Sequence, residues 1–361
     1  MPSEHKRPHR ANSAEITEWL SEKIRSGAYG AGSPFPSLSA IMKRFSISRP
    51  CAAKSVAELK RMGLVVTRVG SGTRVRNRTI GVAIPGTADS EFFRALLDGI
   101  AVNCQTHGIE MVVGDFPEDH ARRASEAVNL ARHFVERKVA GVILQPIGFN
   151  AEAAKINRTI EDILGDAKIP VVLIDYDVVP PPERSRHDLV AIDNFNAGRR
   201  IALHLLKSGA KRISCLLRRL SADSVWTRYD GVDSVLKRAH GICADRIEAE
   251  PDDAKAIAAG LKKFRPDAIV CSNDIAANNL LKTLAKLKVR VPQDVMLAGF
   301  DDVKLAGEMQ PGLTTIRQPC AELAMTALQT LISRIDNRAL PPRQILLDAP
   351  LVVRESTRKE M

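Results

Sequence analysis

From Thr79 onward, short apolar runs alternate with amphipathic helical periods, and no other feature of the chain restricts its fold as much. Runs of strand length occur at 80–84, 109–114, 140–145, 170–175, 189–193, 212–217, 268–272 and 295–300. Helical periods fill 91–106, 119–137, 195–208, 226–240, 253–264 and 275–287. A helix between two strands acts as a crossover, so the strands pair in parallel and helices cover both faces of the sheet. Roughly 280 residues of this pattern are more than a single core accommodates well, which predicts two lobes. Ligands of such folds sit beyond the carboxyl ends of the strands, here in the cleft between the lobes.

The first 78 residues are built differently. They hold fifteen Lys and Arg against five Glu and no Asp, a net +10 out of +11 for the whole chain. A basic unit joined to a near-neutral one predicts a polyanion-binding module with a second task elsewhere. Residues 14–26 place Ile16, Trp19, Leu20 and Ile24 on one helical face, with Asn12 and Glu15 spaced as a capping box. A second helix starts from Ser37 with Leu38, Ile41, Met42 and Phe45 inward. Ser48 stands where it can cap a third, in which Ala52, Val56 and Leu59 face the core and Gly63 ends the helix. Residues 64–69 and 73–75 read as two strands joined at Gly70-Ser71-Gly72. Three helices and a basic hairpin make a winged helix-turn-helix, whose third helix enters the major groove.

Other classes are disfavoured. No stretch reaches the ~18–20 apolar residues of a membrane span, and MPSEHKRPHR lacks the apolar run of a signal peptide, so a cytoplasmic protein is expected. Cys51, Cys104, Cys215, Cys243, Cys271 and Cys320 are far apart, which speaks against zinc or a disulfide framework. The first strand of the large unit runs into Ile84-Pro85-Gly86-Thr87, with neither GxGxxG nor a Walker lysine. His107, His133, His187 and His204 show no nucleophile or metal spacing, and His204 reads as a packed or capping residue. No catalytic residue, metal or cofactor is predicted.

Two resemblances follow from particular residues. Phe35-Pro36-Ser37, Phe45-Ser46-Ile47-Ser48-Arg49, Leu59-Lys60-Arg61-Met62-Gly63-Leu64 and Gly70-Ser71-Gly72-Thr73-Arg74-Val75 resemble the GntR family of bacterial transcription regulators. Ser39 and Ala53 stand where that family usually has arginine. The large unit resembles the LacI/GalR effector domain, a periplasmic-binding-protein-like fold. The matching pieces are Val190-Ala191-Ile192-Asp193-Asn194 with Gly198, Pro266 through Asp274, Val291-Pro292-Gln293-Asp294, Gly299-Phe300-Asp301-Asp302, and Pro311 through Ile316. The tail from Leu351 to Ser356 fits as well. The combination resembles arabinose-type repressors.

The expected fold is therefore α/β, a two-lobed periplasmic-binding-protein-like sensor with an N-terminal winged helix-turn-helix. The DNA-binding domain spans 1–78 and the effector and dimerisation domain 79–361. Lobe 1 is placed at about 79–190 and 318–344, lobe 2 at about 191–317 and 345–358. Candidate DNA contacts are Ser37, Ser48, Arg49, Lys54, Gly72 and Arg74. Lys54 and Arg74 are assigned to phosphates, since most protein–DNA hydrogen bonds go to the backbone. Candidate effector contacts are Phe92, Asp175, Arg228, Asn273 and Asp301. Carboxylates, an amide and an arginine beside an aromatic face suit a polyhydroxylated, sugar-like molecule. Phe93 is assigned to the core, and Asn273, Asp301 and Asp302 have helix capping as their alternative role. No ring occurs around Glu250-Pro251-Asp252, where LacI/GalR relatives often place one against the ligand. The leading expectation is a homodimeric, sugar-responsive repressor that binds operator DNA and no membrane. A solute-binding protein and an α/β enzyme acting on a sugar are the rivals.

Overall fold

A computed structural model describes residues 12–30, 32–68, 72–76, 79–84, 90–114, 120–148, 151–180, 182–218, 220–240 and 243–358. The chain divides into two units, Met1–Arg78 and Thr79–Met361. No helix among the described residues is long and apolar enough to cross a membrane.

The head contains α1 (Ser13–Arg25), α2 (Leu38–Phe45), α3 (Arg49–Arg61), β1 (Val65–Arg68) and β2 (Gly72–Val75). Asn12 Oδ1 accepts from the Ala14 and Glu15 amides, while Glu15 Oε2 accepts from the Asn12 amide, which completes the capping box. Ser37 accepts from the Ala40 amide at 3.1 Å. The hairpin pairs Val65 with Val75 and Arg68 with Gly72. Its Gly70-Ser71 tip lies outside the described residues. One core, drawn from Ile16, Leu20, Phe35, Ile41, Ala52, Val56, Leu59, Leu64, Val65 and Val75, ties helices and hairpin together. Trp19 is only half buried: it packs edge-on against Phe45 at 5.3 Å and carries the Arg44 guanidinium 4.4 Å above its ring.

The body opens with β3 (Thr79–Ala83), α4 (Glu91–Thr106), β4 (Glu110–Val113), α5 (His120–Glu136), β5 (Val142–Leu144), α6 (Ala153–Asp166), β6 (Val171–Ile174) and β7 (Asp188–Ile192). The second half holds α7 (Asn194–Lys207), β8 (Ile213–Leu217), α8 (Asp223–His240), β9 (Asp245–Glu248), α9 (Ala254–Phe264), β10 (Ala268–Cys271), α10 (Asp274–Lys286), β11 (Met296–Asp301), α11 (Lys304–Glu308) and β12 (Thr314–Arg317). The chain ends with α12 (Cys320–Asp336), β13 (Gln344–Leu347), β14 (Leu351–Val352) and a 3-10 turn over Glu355–Thr357.

Two six-stranded sheets result, in the orders β13-β7-β6-β5-β3-β4 and β14-β12-β11-β10-β8-β9. All pairings in both are parallel except β12 with β14. The inner strands β5, β6, β8 and β10 are buried along their whole length, as sheets covered on both faces require. The chain passes between the sheets three times, after Ile192, after Arg317 and after Leu347. The first and third passages fall later than the sequence division at 190 and 344. The reason is pairing: β7 is held between β6 and β13, so both β7 and β13 complete lobe 1. Asp188 fixes that edge. It is fully buried and takes charge-assisted hydrogen bonds from Arg334 and Arg343, which hold its carboxyl below the usual range against the opposing pull of burial.

Candidate functional sites

The body carries a cavity of about 370 Å³ between the lobes, at the carboxyl ends of the strands. Phe92, Asp175, Arg228, Asn273 and Asp301 all line it. Each arrives there for a local reason. Asp175 directly follows β6 and Asp301 ends β11, and both have left-handed backbones, with φ of 77° and 110°. Non-glycine residues in that region are strained, and such strain concentrates where a side chain must be aimed at a ligand. Phe92 lies in the first turn of α4, its ring 4.9 Å from that of Phe93. Phe93 lines the cavity too, rather than serving only the core. Asn273 is the N-cap of α10, its Oδ1 accepting from the Ala276 amide at 2.8 Å, so capping and cleft lining coexist in one side chain. Neither Asp301 nor Asp302 caps a helix: the N-cap of α11 is Val303. Asp301 Oδ1 accepts from Gln318 Nε2 at 2.7 Å, and Asp302 pairs with Arg317 and Arg354.

Arg228 organises the charges. It stands in the second turn of α8, which starts earlier than the periodicity suggested, at Asp223. Its Nε donates to Asn194 Oδ1 at 2.8 Å and one terminal nitrogen to the Ser272 carbonyl at 2.9 Å, with the guanidinium 4.5 Å over the Phe300 ring. Burial raises the Asp175 carboxyl above its usual range, opposed by Arg228. Burial likewise pushes Asp301 up to about 6, again opposed by Arg228. Behind them Asp274, buried and bonded by Thr315 Oγ1 and the Val303 amide, is raised to about 8 by burial and by the charge of Asp301. Gly198 makes this arrangement possible. A Cβ there would lie 2.0 Å from the Arg228 carbonyl oxygen, so only glycine lets α7 approach α8 at the level of the arginine.

Sequence reasoning missed several cleft residues. Gln145 follows β5 and donates to Asp175 Oδ2 at 3.4 Å; its own Oε1 is buried without a partner and thus offers an acceptor to a ligand. Ser224, Tyr176 and Gln318 also line the cavity, the Tyr176 hydroxyl donating to the Pro146 carbonyl at 2.7 Å. A strand-end signal exists for Gln145, which closes the apolar run 140–145, whereas Gln318 follows β12, a strand with no such run in the sequence. Where the ring was absent, Glu250 forms an ion pair with Arg218 at 2.8 Å on the cleft wall. His204, on α7, is hydrogen-bonded to Thr357 Oγ1 at 2.8 Å and takes no part in the cleft.

In the head, Ser48 occupies the N-cap position of α3 without a capping bond from its side chain. Arg49 and Lys54 project from the exposed side of α3. Ser37 is exposed at the start of α2. Gly72, with φ of 71°, turns the hairpin where a side chain would be strained. Arg74 on β2 is exposed but donates to the Gly32 carbonyl at 3.1 Å. Six groups on α2, α3 and the hairpin thus leave polar atoms at the surface of one small unit.

With the geometry in place, comparison with known proteins gives a consistent result. Residues 12–75 match the bacterial regulatory proteins of the gntR family, and residues 202–357 match a periplasmic binding protein-like domain. The ribose operon repressor of Escherichia coli (strain K12) is 26% identical over 318 residues, 86% of this chain and 92% of the repressor. The HTH-type transcriptional repressor PurR of Photobacterium profundum is 26% identical over 290 residues, 78% of this chain and 81% of that protein. The solved structure of transcription regulator GntR from Chromobacterium violaceum, 26% identical, superposes with a TM-score of 0.62 over 78% of this chain and 99% of that one.

Proposed function

Because a gntR-type DNA-binding head is joined here to a periplasmic binding protein-like body, we propose that the protein is a transcriptional repressor whose hold on operator DNA is set by a sugar-like effector in the cleft. The observation that carries this reading is the convergence of Asp175, Asn273, Asp301 and Arg228 on one cavity that Phe92 also lines. The side chains that stand there offer paired acceptors and donors at short range, the pattern that adjacent hydroxyls of a sugar satisfy. The similarity to a ribose operon repressor supports the same class of ligand. In the head, this reading gives Arg49 at the start of α3 a base edge and Lys54 and Arg74 phosphates, with Ser37, Ser48 and Gly72 beside them; the exposure of all six supports it. A homodimer on a two-fold operator follows from the economy of the head, since one small winged helix covers little DNA and pairing doubles the contacts.

A ligand shifts DNA affinity only by the difference in its binding to the two states of the body, commonly about 1–3 kcal/mol. Losing one charged partner in the cleft therefore suffices to abolish the response. The test titrates operator DNA with the full chain, with and without a panel of sugars. Arg228→Ala and Asp301→Ala should bind DNA as the wild type does and fail to respond to the sugar that switches it. An undiminished response in both variants would place the effector site elsewhere.

A further inference from the structure

The groove between α7 and α8, on the outer side of lobe 2, takes no part in the cleft. The helices touch closely at Gly198 and Gly231, where a Cβ on the second would lie 2.1 Å from the Phe195 carbonyl oxygen. Beyond that contact Phe195, Arg199, Leu203 and Leu206 run along α7 at steps of four, four and three residues. Ser234, Val235, Arg238 and Ala239 line the facing side of α8. Phe195 is 38% exposed and Leu203 47%. These are not core residues displaced outward, because Ala197, Ile201, Ala202 and Leu205 already fill the inward face of α7. A helix with a buried face and a second apolar stripe on its solvent side has a surface to cover.

The charged side chains that line the stripe have one sign, although Asp230, exposed one turn before Ser234 on α8, lies beside it. Among the described residues no carboxylate lines the groove, whereas Arg199 and Arg238 do. Lys207 closes α7 and Lys211 and Arg212 follow it, all three exposed. Two of the acidic side chains nearby are engaged: Asp233 pairs with Lys237 at 2.6 Å and accepts from the Ala244 amide, and Asp193 caps α7.

We propose that this groove docks an acidic amphipathic helix of a partner protein, with apolar residues at helical spacing against Phe195, Leu203 and Leu206, and carboxylates against Arg199 and Arg238. Such helix-in-groove contacts draw affinity from the apolar anchors and orientation from the rim charges. A second copy of this chain is a poor occupant, since a two-fold contact would set the arginines of one groove against those of the other. The +10 head is repelled for the same reason. The patch is short beside the roughly 800 Å² per partner of a stable complex, so the association is a transient one.

Two labelled 18-residue helical peptides test this, both with leucines at positions i, i+4, i+8 and i+11, one with glutamates and one with lysines at the remaining surface positions. Fluorescence anisotropy with the full chain should show the glutamate peptide binding at least tenfold tighter than the lysine peptide. Arg199→Glu with Arg238→Glu, and separately Leu203→Gln, should each weaken that binding about tenfold, while operator binding and the sugar response stay unchanged. Equal binding of the two peptides, or binding indifferent to the substitutions, would overturn the proposal. A fall in the chain's own oligomeric state in the Leu203→Gln variant would overturn it too, by making the groove a self-contact. The peptide-binding and oligomeric-state outcomes do not depend on the cleft or the head functioning as proposed above.

Discussion

Replacing Asp301 by asparagine should make the protein more stable at neutral pH while removing its response to effector. Burial raises the Asp301 carboxyl from 3.8 to about 6 even with Arg228 nearby, so the folded body holds this proton more tightly than the unfolded chain does. At about 1.4 kcal/mol per pH unit, keeping this group ionised at pH 7 costs the fold about 3 kcal/mol at most. Asparagine keeps an oxygen for the bond from Gln318, now at 2.7 Å, but forfeits the attraction to Arg228. A net gain of about 1–2 kcal/mol remains, or about 2–4 °C in Tm for a domain this large. The sign follows from proton binding. Between about pH 4 and 6 the folded state holds the proton that the unfolded state has released, so wild-type stability falls as pH rises through that window. The advantage of the variant is therefore absent below about pH 4 and opens above it. Relief of Asp274, which the charge of Asp301 helps to raise to about 8, carries the widening towards pH 8. Thermal unfolding of both proteins from pH 4 to pH 8, without ligand, measures the difference. A Tm gap that does not change with pH, or a less stable variant at pH 7, would refute the reasoning.

Gly198→Ala should lower the Tm of the body by several degrees, at a cost of roughly 1–3 kcal/mol for overpacking against an unyielding carbonyl, and weaken sugar binding through Arg228. Gly307→Ala, which meets only an arginine nitrogen at 4.0 Å, is the control that should melt within a degree of wild type. Arg49→Ala should weaken operator binding by about 1–3 kcal/mol if its guanidinium reads a guanine edge, with less effect on non-specific DNA; equal losses on both sequences would make it a phosphate contact. Asn12→Ala should cost the head about 1 kcal/mol by deleting the acceptor of the capping box, visible as a lower melting transition of the head in calorimetry.

Strand and helix alternation was readable because burial on both faces writes itself as apolar runs, and α4 begins and ends where its periodicity does. Elements with weaker signatures escaped the reading. β9 is an edge strand whose sequence, Asp-Arg-Ile-Glu, holds one apolar residue, and α6 and α12 were not separated from their surroundings. Which sheet a strand joins is decided by pairing partners far along the chain, so nothing local to β7 or β13 placed them in lobe 1. In the cleft, Asp175 and Asp301 stood out because a carboxylate at a strand end is chemically conspicuous. Gln145, Ser224 and Gln318 are ordinary residues whose importance comes only from where the fold carries them. The hydroxyl of Ser48 shows the converse, a helix-capping residue type at a capping position that makes no capping bond.

The three passages between the sheets also set an order of events during synthesis. Residues 344–352 supply the edge strand β13 of one sheet and β14 of the other, and Ser356 then ties the end of the chain to the Leu297 carbonyl at 2.6 Å. Neither lobe is whole before that stretch has left the ribosome, whereas the core of the head uses residues 16–75 alone. At roughly 5–20 residues per second, the head has on the order of half a minute to fold while the sensor is still being made. The head can thus be folded before the cleft of the body exists to bind anything. Premature termination in this last stretch would leave a folded head on an incomplete body, whose unpaired sheet edges would mark it for aggregation or proteolysis.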